Sequence, residues 1–367
     1  MQNSRREFVK FSGLVAAGLS LPVRSQTPLK ILILGGTGFI GPHMVRYAAS
    51  RGHEVSIFTR GNSHLDVPGI EHLIGDRNND HSALMGRSWD IVLDNNAQDY
   101  RWVQTSTELL KDAVEHYILV SSISVYAVEG FGYENWQRIV FEPMIDEGSE
   151  RVQPPESWSY GDDAPYGLMK SLSEDITHAA FPNRCAIVRP GLIAGPGDPT
   201  DRFTYWPVRL NEGGEVLAPG NPNHANQIID QRDLTEWIIR LAENRIAGDF
   251  NATGPDFRLT MSSMLTAIGK VVETDYILTW VPERFLESQN VTPWSDMPTW
   301  IPGDPLSYVR IERALNAGLT FRGIEQTAID TLQWDRARVA EERASRRAGL
   351  SRDRERDIIS AWKNRHG

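Results

Sequence analysis

The stretch "LKILILGGTGFIG", residues 29–41, constrains this chain more than any other. An apolar run of that kind ended by glycines reads as a strand buried on both faces, at the centre of a parallel sheet. Gly35, Gly38 and Gly41 then turn the chain into a helix through "PHMVRYAAS", with Met44, Val45, Ala48 and Ala49 on one face. Each glycine has a physical task in such a turn. Gly35 permits the bend, Gly38 lets backbone N–H groups approach a diphosphate, and Gly41 lets helix and strand pack closely. A dinucleotide would place its diphosphate at the positive helix end, beside Phe39 and Ile40.

The alternation continues. "HEVSIFTRG", "IEHLIGDR", "WDIVLDNNA" and "HYILVSSISVY" read as the second to fifth strands, with helical stretches between them, for example residues 103–114. A glycine turn heading such a series predicts an α/β fold, a Rossmann-type doubly wound parallel sheet with a smaller C-terminal substrate lobe. We divide the chain into a nucleotide-binding domain over 27–190, to which 224–255 returns, and a lobe from 191–223 and 256–334. Charged outer helices are expected over 335–367.

The strand ends carry the cofactor reading. An acid usually closes the second strand of an NAD enzyme, where it bonds the ribose 2′-hydroxyl. Here the chain reads Phe58-Thr59-Arg60. Arg60 suits the 2′-phosphate of NADP, and the choice between NAD and NADP stays open. Asp76 is placed near the adenine, and Asn95 and Asn96 on the nicotinamide side.

Tyr166 and Lys170, four apart in "PYGLMKSLSE", fall on one face of a helix opened by Pro165. An ammonium beside a phenol favours phenolate, so Lys170 would lower the Tyr166 pKa and ready it for proton transfer with a substrate hydroxyl. The chain holds six Lys against thirty-two Arg, so a Lys at this position points to a use for its compact ammonium.

The spacing G-x-x-G-x-x-G, "SSISVYA", the Y-x-x-x-K helix, "VRPGLIAGPGD", "IIDQRDLTEWI" and "GDFNATGP" resemble the extended, sugar-epimerase-like branch of the short-chain dehydrogenase/reductase superfamily. Within it, "GGTGFIG", "FTRG", "GDRNND" and "RFTYWPVRL" look most like a bacterial subgroup of NAD-dependent epimerase/dehydratases, with chloroplast stem-loop-binding proteins as more distant relatives. The resemblance implies a catalytic hydroxyl four residues before the strand-end Tyr126, which selects Ser122. Ser124 is its rival, and Ser121 is expected to face the other side of the strand. The resemblance thus implies a Ser122–Tyr166–Lys170 set acting with NAD or NADP, and the export signal read below adds the expectation that this cofactor is tightly bound.

Two departures from that branch matter. The Asp-Glu pair that its 4,6-dehydratases carry after the catalytic hydroxyl is replaced by Ile123 and Ser124, which argues against dehydration. The stretch between Ser122 and Tyr166 is long, acidic and aromatic, and reads either as a lid over the substrate mouth or as a surface excursion. In the lobe, Arg202, Tyr205, Trp206 and Arg209 of "RFTYWPVRL" suit a sugar face and an anionic group, or else are core aromatics and solvated arginines. The loop "TPWSDMPTWIPGDP" would wall the same pocket.

The N-terminus, "MQNSRREFVKFSGLVAAGLSLP", reads as a twin-arginine signal over residues 1–26, so a periplasmic or otherwise exported protein, folded before translocation, is expected. Cys185 is the only cysteine, which excludes an intrachain disulfide. The net charge of −10 divides into +3 for residues 1–26, +4 for 335–367 and −17 for the body between. An acidic body argues against nucleic acid, and the histidine spacing suggests no metal site. The expected partners are a small-molecule substrate, sugar-like, and the twin-arginine translocation machinery; a homodimer stays open. The leading reading is a redox-neutral, epimerase-like oxidoreductase. A net NADP-dependent reductase or alcohol dehydrogenase is second, and a non-catalytic nucleotide- or RNA-binding relative third.

Overall fold

The computed structural model describes residues 27–129, 132–135, 137–138 and 140–365. The twin-arginine segment lies outside the described residues.

The N-terminal half runs β1 (Lys30–Leu34), α1 (Gly41–Ser50), β2 (Glu54–Thr59), β3 (Glu71–Ile74), β4 (Trp89–Asp94), α2 (Tyr100–Leu110), β5 (Val114–Val120), α3 (Tyr166–Ala180) and β6 (Cys185–Pro190). There follow β7 (Leu192–Ala194), α4 (Tyr205–Asn211), β8 (Gly214–Pro219), β9 (Ala225–Asn226), β10 (Ile228–Asp230), α5 (Gln231–Glu243) and β11 (Gly248–Ala252). The chain closes with β12 (Leu259–Thr260), α6 (Met261–Gly269), β13 (Tyr276–Val281), α7 (Glu283–Ser288), α8 (Glu312–Asn316), α9 (Ile324–Ala337), α10 (Ala340–Ala344) and α11 (Arg352–Asn364).

Seven strands form one parallel sheet in the order β3-β2-β1-β4-β5-β6-β11. The two-residue period of β1 explains why both faces are covered. Ile31 and Ile33 pack with Met44 and Val45 of α1 and Leu234 and Trp237 of α5. Leu32 and Leu34 point the other way, toward Val103 and Leu110 of α2 and Phe181 beyond α3. Each fully buried Leu or Ile contributes roughly 1.5–3 kcal/mol, so the run is strongly held in the sheet centre. Asp230 caps α5 by accepting from Arg232 N at 2.8 Å.

The expected helix over 103–114 is corrected at both ends. It begins at Tyr100, where Asp99 caps it, and stops at Leu110. Val114 is already sheet, in register opposite Trp89. Hydrophobic periodicity could not separate Val114 from the helix, because it is buried in either element.

The lobe packs a second core from α4, α6, β8, β13 and the loop before α8, with Trp206 and Trp300 fully buried. The C-terminal helices are not merely a charged exterior. Glu355, Ile358 and Ile359 of α11 are buried against this core, and Ser351 caps the helix. No helix among the described residues is long and apolar enough to cross a membrane.

Candidate active site

The C-terminal strand ends open into a cleft of 630 Å³. Gly35 and Gly36 bend the chain with φ of 107° and 105°, a region costly for any residue with a Cβ. A Cβ on Gly38 would meet nothing within 4 Å, so its backbone stands open to the cleft. On Gly41 it would fall 2.5 Å from the Gly36 carbonyl carbon, so that position must remain glycine for α1 to approach the turn. Gly41 accordingly packs rather than lines. No side chain caps the start of α1, where Pro42 lies, which leaves the helix end free for an anion.

Gly35, Gly38, Phe39 and Ile40 line the cleft, as do Thr59, Arg60 and Asp76. Arg60 is exposed there. Asn95 and Asn96 line it too. The Asn95 Oδ1 is buried without a hydrogen-bond partner, an orphan that a ligand amide or hydroxyl would satisfy. The open Gly38, the uncapped helix and this orphan together fit a dinucleotide.

The same cleft is lined by Ser122, Tyr166 and Lys170. Pro165 at the N-cap starts α3, so Tyr166 and Lys170 lie one turn apart facing the end of β5. Lys170 is 3% exposed, and its Nζ donates to the Val120 carbonyl at 3.0 Å and lies 5.8 Å from the Tyr166 ring centroid. Burial pulls the Lys170 pKa down to about 8, partly opposed by the carboxylates of Asp94 and Glu174. The Ser122 hydroxyl accepts from Ser124 N at 3.1 Å and meets Ser124 Oγ at 3.1 Å. Ser121, expected to face away, lines the cleft as well, with its hydroxyl committed to Glu174 at 2.6 Å.

One expectation is corrected here. The Tyr166 phenol lies above its ordinary value, because its loss of solvent outweighs the hydrogen bond with Ser122. The ammonium of Lys170 is buried on the strand carbonyl and does not hold the phenolate by itself.

Sequence reasoning missed two buried networks under this set. Arg77 reaches Asp94 with two bonds of 2.6 and 2.8 Å and Ser106 at 3.0 Å, while Tyr117 donates to Asp94 at 2.8 Å. Glu174, on α3 one turn past Lys170, accepts from Arg189 at 2.9 and 2.7 Å and from Arg151 at 3.1 Å. Both networks brace strand ends that carry site residues. Their one sequence signal was an acid closing the apolar run of β4, Asp94, and an arginine inside the apolar β6, Arg189.

A second cavity, of 1000 Å³, adjoins the first and shares Phe39, Gln98, Ser122, Tyr166, Gly191 and Ile193 with it. Ser124 lines this cavity alone. Its far walls come from the lobe: Arg202, with its guanidinium 4.7 Å from the Trp294 ring, and Thr299, Ile301 and Asp304 of the Pro/Trp loop. Glu129, Val152 and Gln153 of the long insertion line it as well. That insertion is fastened to the lobe by Gly132 N to the Pro302 carbonyl at 2.6 Å and Tyr133 to the Val291 carbonyl at 2.8 Å. It forms a wall of the cavity rather than a detached excursion.

Three other lobe candidates do not reach the cavity. Tyr205 and Trp206 are core, and Trp206 Nε1 donates to the Pro298 carbonyl at 2.9 Å and to Thr299 at 3.1 Å. Arg209 is buried against Glu355 at 2.7 Å and is neither a substrate ligand nor a solvated arginine. The seven-residue α4 turns only the segment before it toward the cavity, so Arg202 lines it and the three residues behind it do not.

Trp294 and Thr299 are left-handed, with φ of 69° and 66°, as is Asp201 at 57° beside Arg202. Such backbone costs about 1–3 kcal/mol per residue and persists where its surroundings impose it. Trp294 N donates to the carbonyls of Met297 and Trp300, Thr299 accepts from Trp206 and Asn226, and Asp201 accepts from Arg338 and Arg347 N. Among the described residues, no group of three His, Cys, Asp or Glu side chains could hold a metal ion.

Comparison with known proteins places this geometry. The chain is 27% identical over 270 residues to the chloroplast stem-loop binding protein of 41 kDa b of Arabidopsis thaliana, covering 68% of this chain and 65% of that protein. It is 28% identical over 179 residues to the 2-alkyl-3-oxoalkanoate reductase of Stenotrophomonas maltophilia, covering 46% and 52%. The matches thus span about half to two thirds of these relatives' lengths. The fold is that of a UDP-N-acetylglucosamine 4-epimerase from Methanobrevibacter ruminantium, with a TM-score of 0.61, 15% identity and 84% and 98% coverage. It is likewise that of a UDP-glucuronic acid 4-epimerase from Bacillus cereus in complex with NAD, with a TM-score of 0.56, 16% identity and 85% and 99% coverage. Residues 31–253, more than half of the chain, match the NAD dependent epimerase/dehydratase family, and the protein belongs to that family.

Proposed function

We propose that this protein is a redox-neutral, epimerase-like NAD(P)-linked oxidoreductase acting on a sugar or a related hydroxyl or carbonyl compound, with Ser122, Tyr166 and Lys170 as its reacting set. The observation that carries this reading is that Ser122 and Tyr166 line both cavities, where a dinucleotide and a substrate would meet. A bound nicotinamide supplies the hydride acceptor and donor. The chain's own residues do the rest. Tyr166 exchanges a proton with the substrate oxygen, and the Ser122 hydroxyl holds that oxygen in place. Lys170, with one of its three donors committed to Val120, keeps positive charge beside the phenol. Thr59 and Arg60 serve the ribose end, and Asn95 offers its free Oδ1.

The epimerase names of the two solved relatives support this reading. The reductase name of the bacterial relative, together with Arg60 where NAD enzymes carry an acid, supports a net NADP-dependent reductase as the second reading. The −17 body disfavours a nucleic-acid stem-loop-binding role like the one that the name of the chloroplast relative suggests.

Export through the twin-arginine pathway belongs to the same proposal. No nicotinamide pool is maintained outside the cytoplasm, so an exported enzyme of this kind would keep its nucleotide and restore it in every cycle. Native mass spectrometry of the full chain tests this. A nucleotide that survives dialysis, with turnover in the absence of added cofactor, is the expected result. A protein that purifies empty and consumes one NAD(P)H per product would replace the epimerase reading by the reductase one.

A further inference from the structure

Resting on that reading, we infer that Gly167 is a positioning residue: carrying no side chain, it lets the first turn of α3 close on the turn that Ser122 caps, and so sets Tyr166 against Ser122.

Gly167 directly follows Tyr166 and has an ordinary helical backbone, so no left-handed angle calls for glycine here. Alanine is the better helix former. The reason for glycine lies outside the helix. A Cβ at this position would lie 2.4 Å from the Ser124 carbonyl oxygen, where an ordinary contact needs 3.4 Å or more. A methyl group would thus force the two segments apart by about 1 Å.

The surroundings decide which segment yields. Ser124 sits in the single turn Ile123–Val125, and the Ser122 hydroxyl that caps this turn accepts from Ser124 N at 3.1 Å. That turn is anchored. Val152 N donates to the Val125 carbonyl at 2.7 Å, and Val125 is fully buried. The next residue, Tyr126, donates to Asn251 at 2.6 Å and accepts from Arg189 at 3.0 Å. The body of α3 is anchored as well, by Lys170 on the Val120 carbonyl and Glu174 on Arg189. What is left to move is the first turn of α3, which no side chain caps and where Tyr166 is half-exposed. Tyr166 shares a hydrogen bond with Ser122 that favours the phenolate. A displacement of about 1 Å breaks such a bond, and a misplacement of that size can cost about 10²-fold in rate.

The full chain labelled with ¹³Cζ-tyrosine tests this, with the Tyr166 resonance assigned by its loss in Tyr166→Phe. Its pH titration reads the contact directly, because a hydroxyl donor lowers the pKa of a phenol. Ser122→Ala should raise the midpoint by roughly 0.5–1 pH unit. Gly167→Ala should raise it by the same amount, while nucleotide content and melting temperature stay near those of the wild type. In the double variant the second substitution should add nothing, since both remove one contact. An unmoved midpoint in Gly167→Ala, shifts that add in the double variant, or a Gly167→Ala chain that does not fold overturns the inference. So does an unmoved midpoint in Ser122→Ala, a measurement that leaves Gly167 in place. Failure of the underlying enzyme reading would look different: no nucleotide in the purified protein, or full turnover in Tyr166→Phe, whatever the titrations show.

Discussion

Lys170 Nζ donates to the Val120 carbonyl at 3.0 Å, and the same atom lies 5.8 Å from the centre of the Tyr166 ring. The backbone of the fifth strand thus positions the ammonium, and the ammonium faces the residue that the proposed reaction needs most. The first prediction concerns this set. Tyr166→Phe should abolish turnover while leaving the nucleotide bound, because the ring still fills the cleft wall. Ser122→Ala should lower turnover by about 10²–10³, as for loss of one polarising donor. Steady-state rates and native mass spectra on the same preparations read both effects, and full activity in Tyr166→Phe would remove the assignment.

The second prediction is a pH dependence. Burial holds Lys170 at about 8 in the folded chain against an ordinary value of 10.5. The folded state therefore binds fewer protons than the unfolded state between these values, and stability rises with pH across that window. Relative to Lys170→Met, the nucleotide-free protein should gain up to about 3 kcal/mol between pH 8 and 10.5 in denaturant titrations. The ammonium itself is present below about 8, so kcat/KM should fall above it. A flat stability difference would mean that Lys170 is better solvated than its burial indicates.

Arg60 decides the third. If its exposed guanidinium serves a 2′-phosphate, Arg60→Ala should weaken NADP binding by roughly 10- to 100-fold and leave NAD binding nearly unchanged. Equal losses in calorimetry with both nucleotides would show that the residue only faces solvent.

The fourth tests the separation of the lobe core from the site. Arg209 and Glu355 pair at 2.7 Å, both side chains 2% exposed. Arg209→Ala would remove the buried partner of a carboxyl that keeps Arg352 at 2.9 Å and Leu217 N at 2.9 Å, a loss of about 1.5–3 kcal/mol. The melting temperature should drop clearly, while nucleotide content and KM of the remaining folded protein stay near wild type. A selective rise in KM at unchanged stability would instead return Arg209 to the substrate.

Much of this molecule was legible because local patterns carry it. The apolar run at Lys30–Leu34, the glycine spacing after it and the four-residue spacing of Tyr166 and Lys170 each constrain one element by backbone sterics and side-chain period alone. Those constraints hold in any context that buries the strand, so the sheet, the turn and the cleft residues follow from the chain as written. What the tertiary structure decided was which way longer segments turn and what surrounds each charge. Tyr205, Trp206 and Arg209 look like ligands in a line of text, yet α4 buries all three, because whether an aromatic or an arginine meets a cavity or a core depends on its neighbours. The phenol of Tyr166 is a similar case: the spacing places a lysine beside it, but the balance between charge and lost solvent depends on depth, and depth belongs to the whole fold.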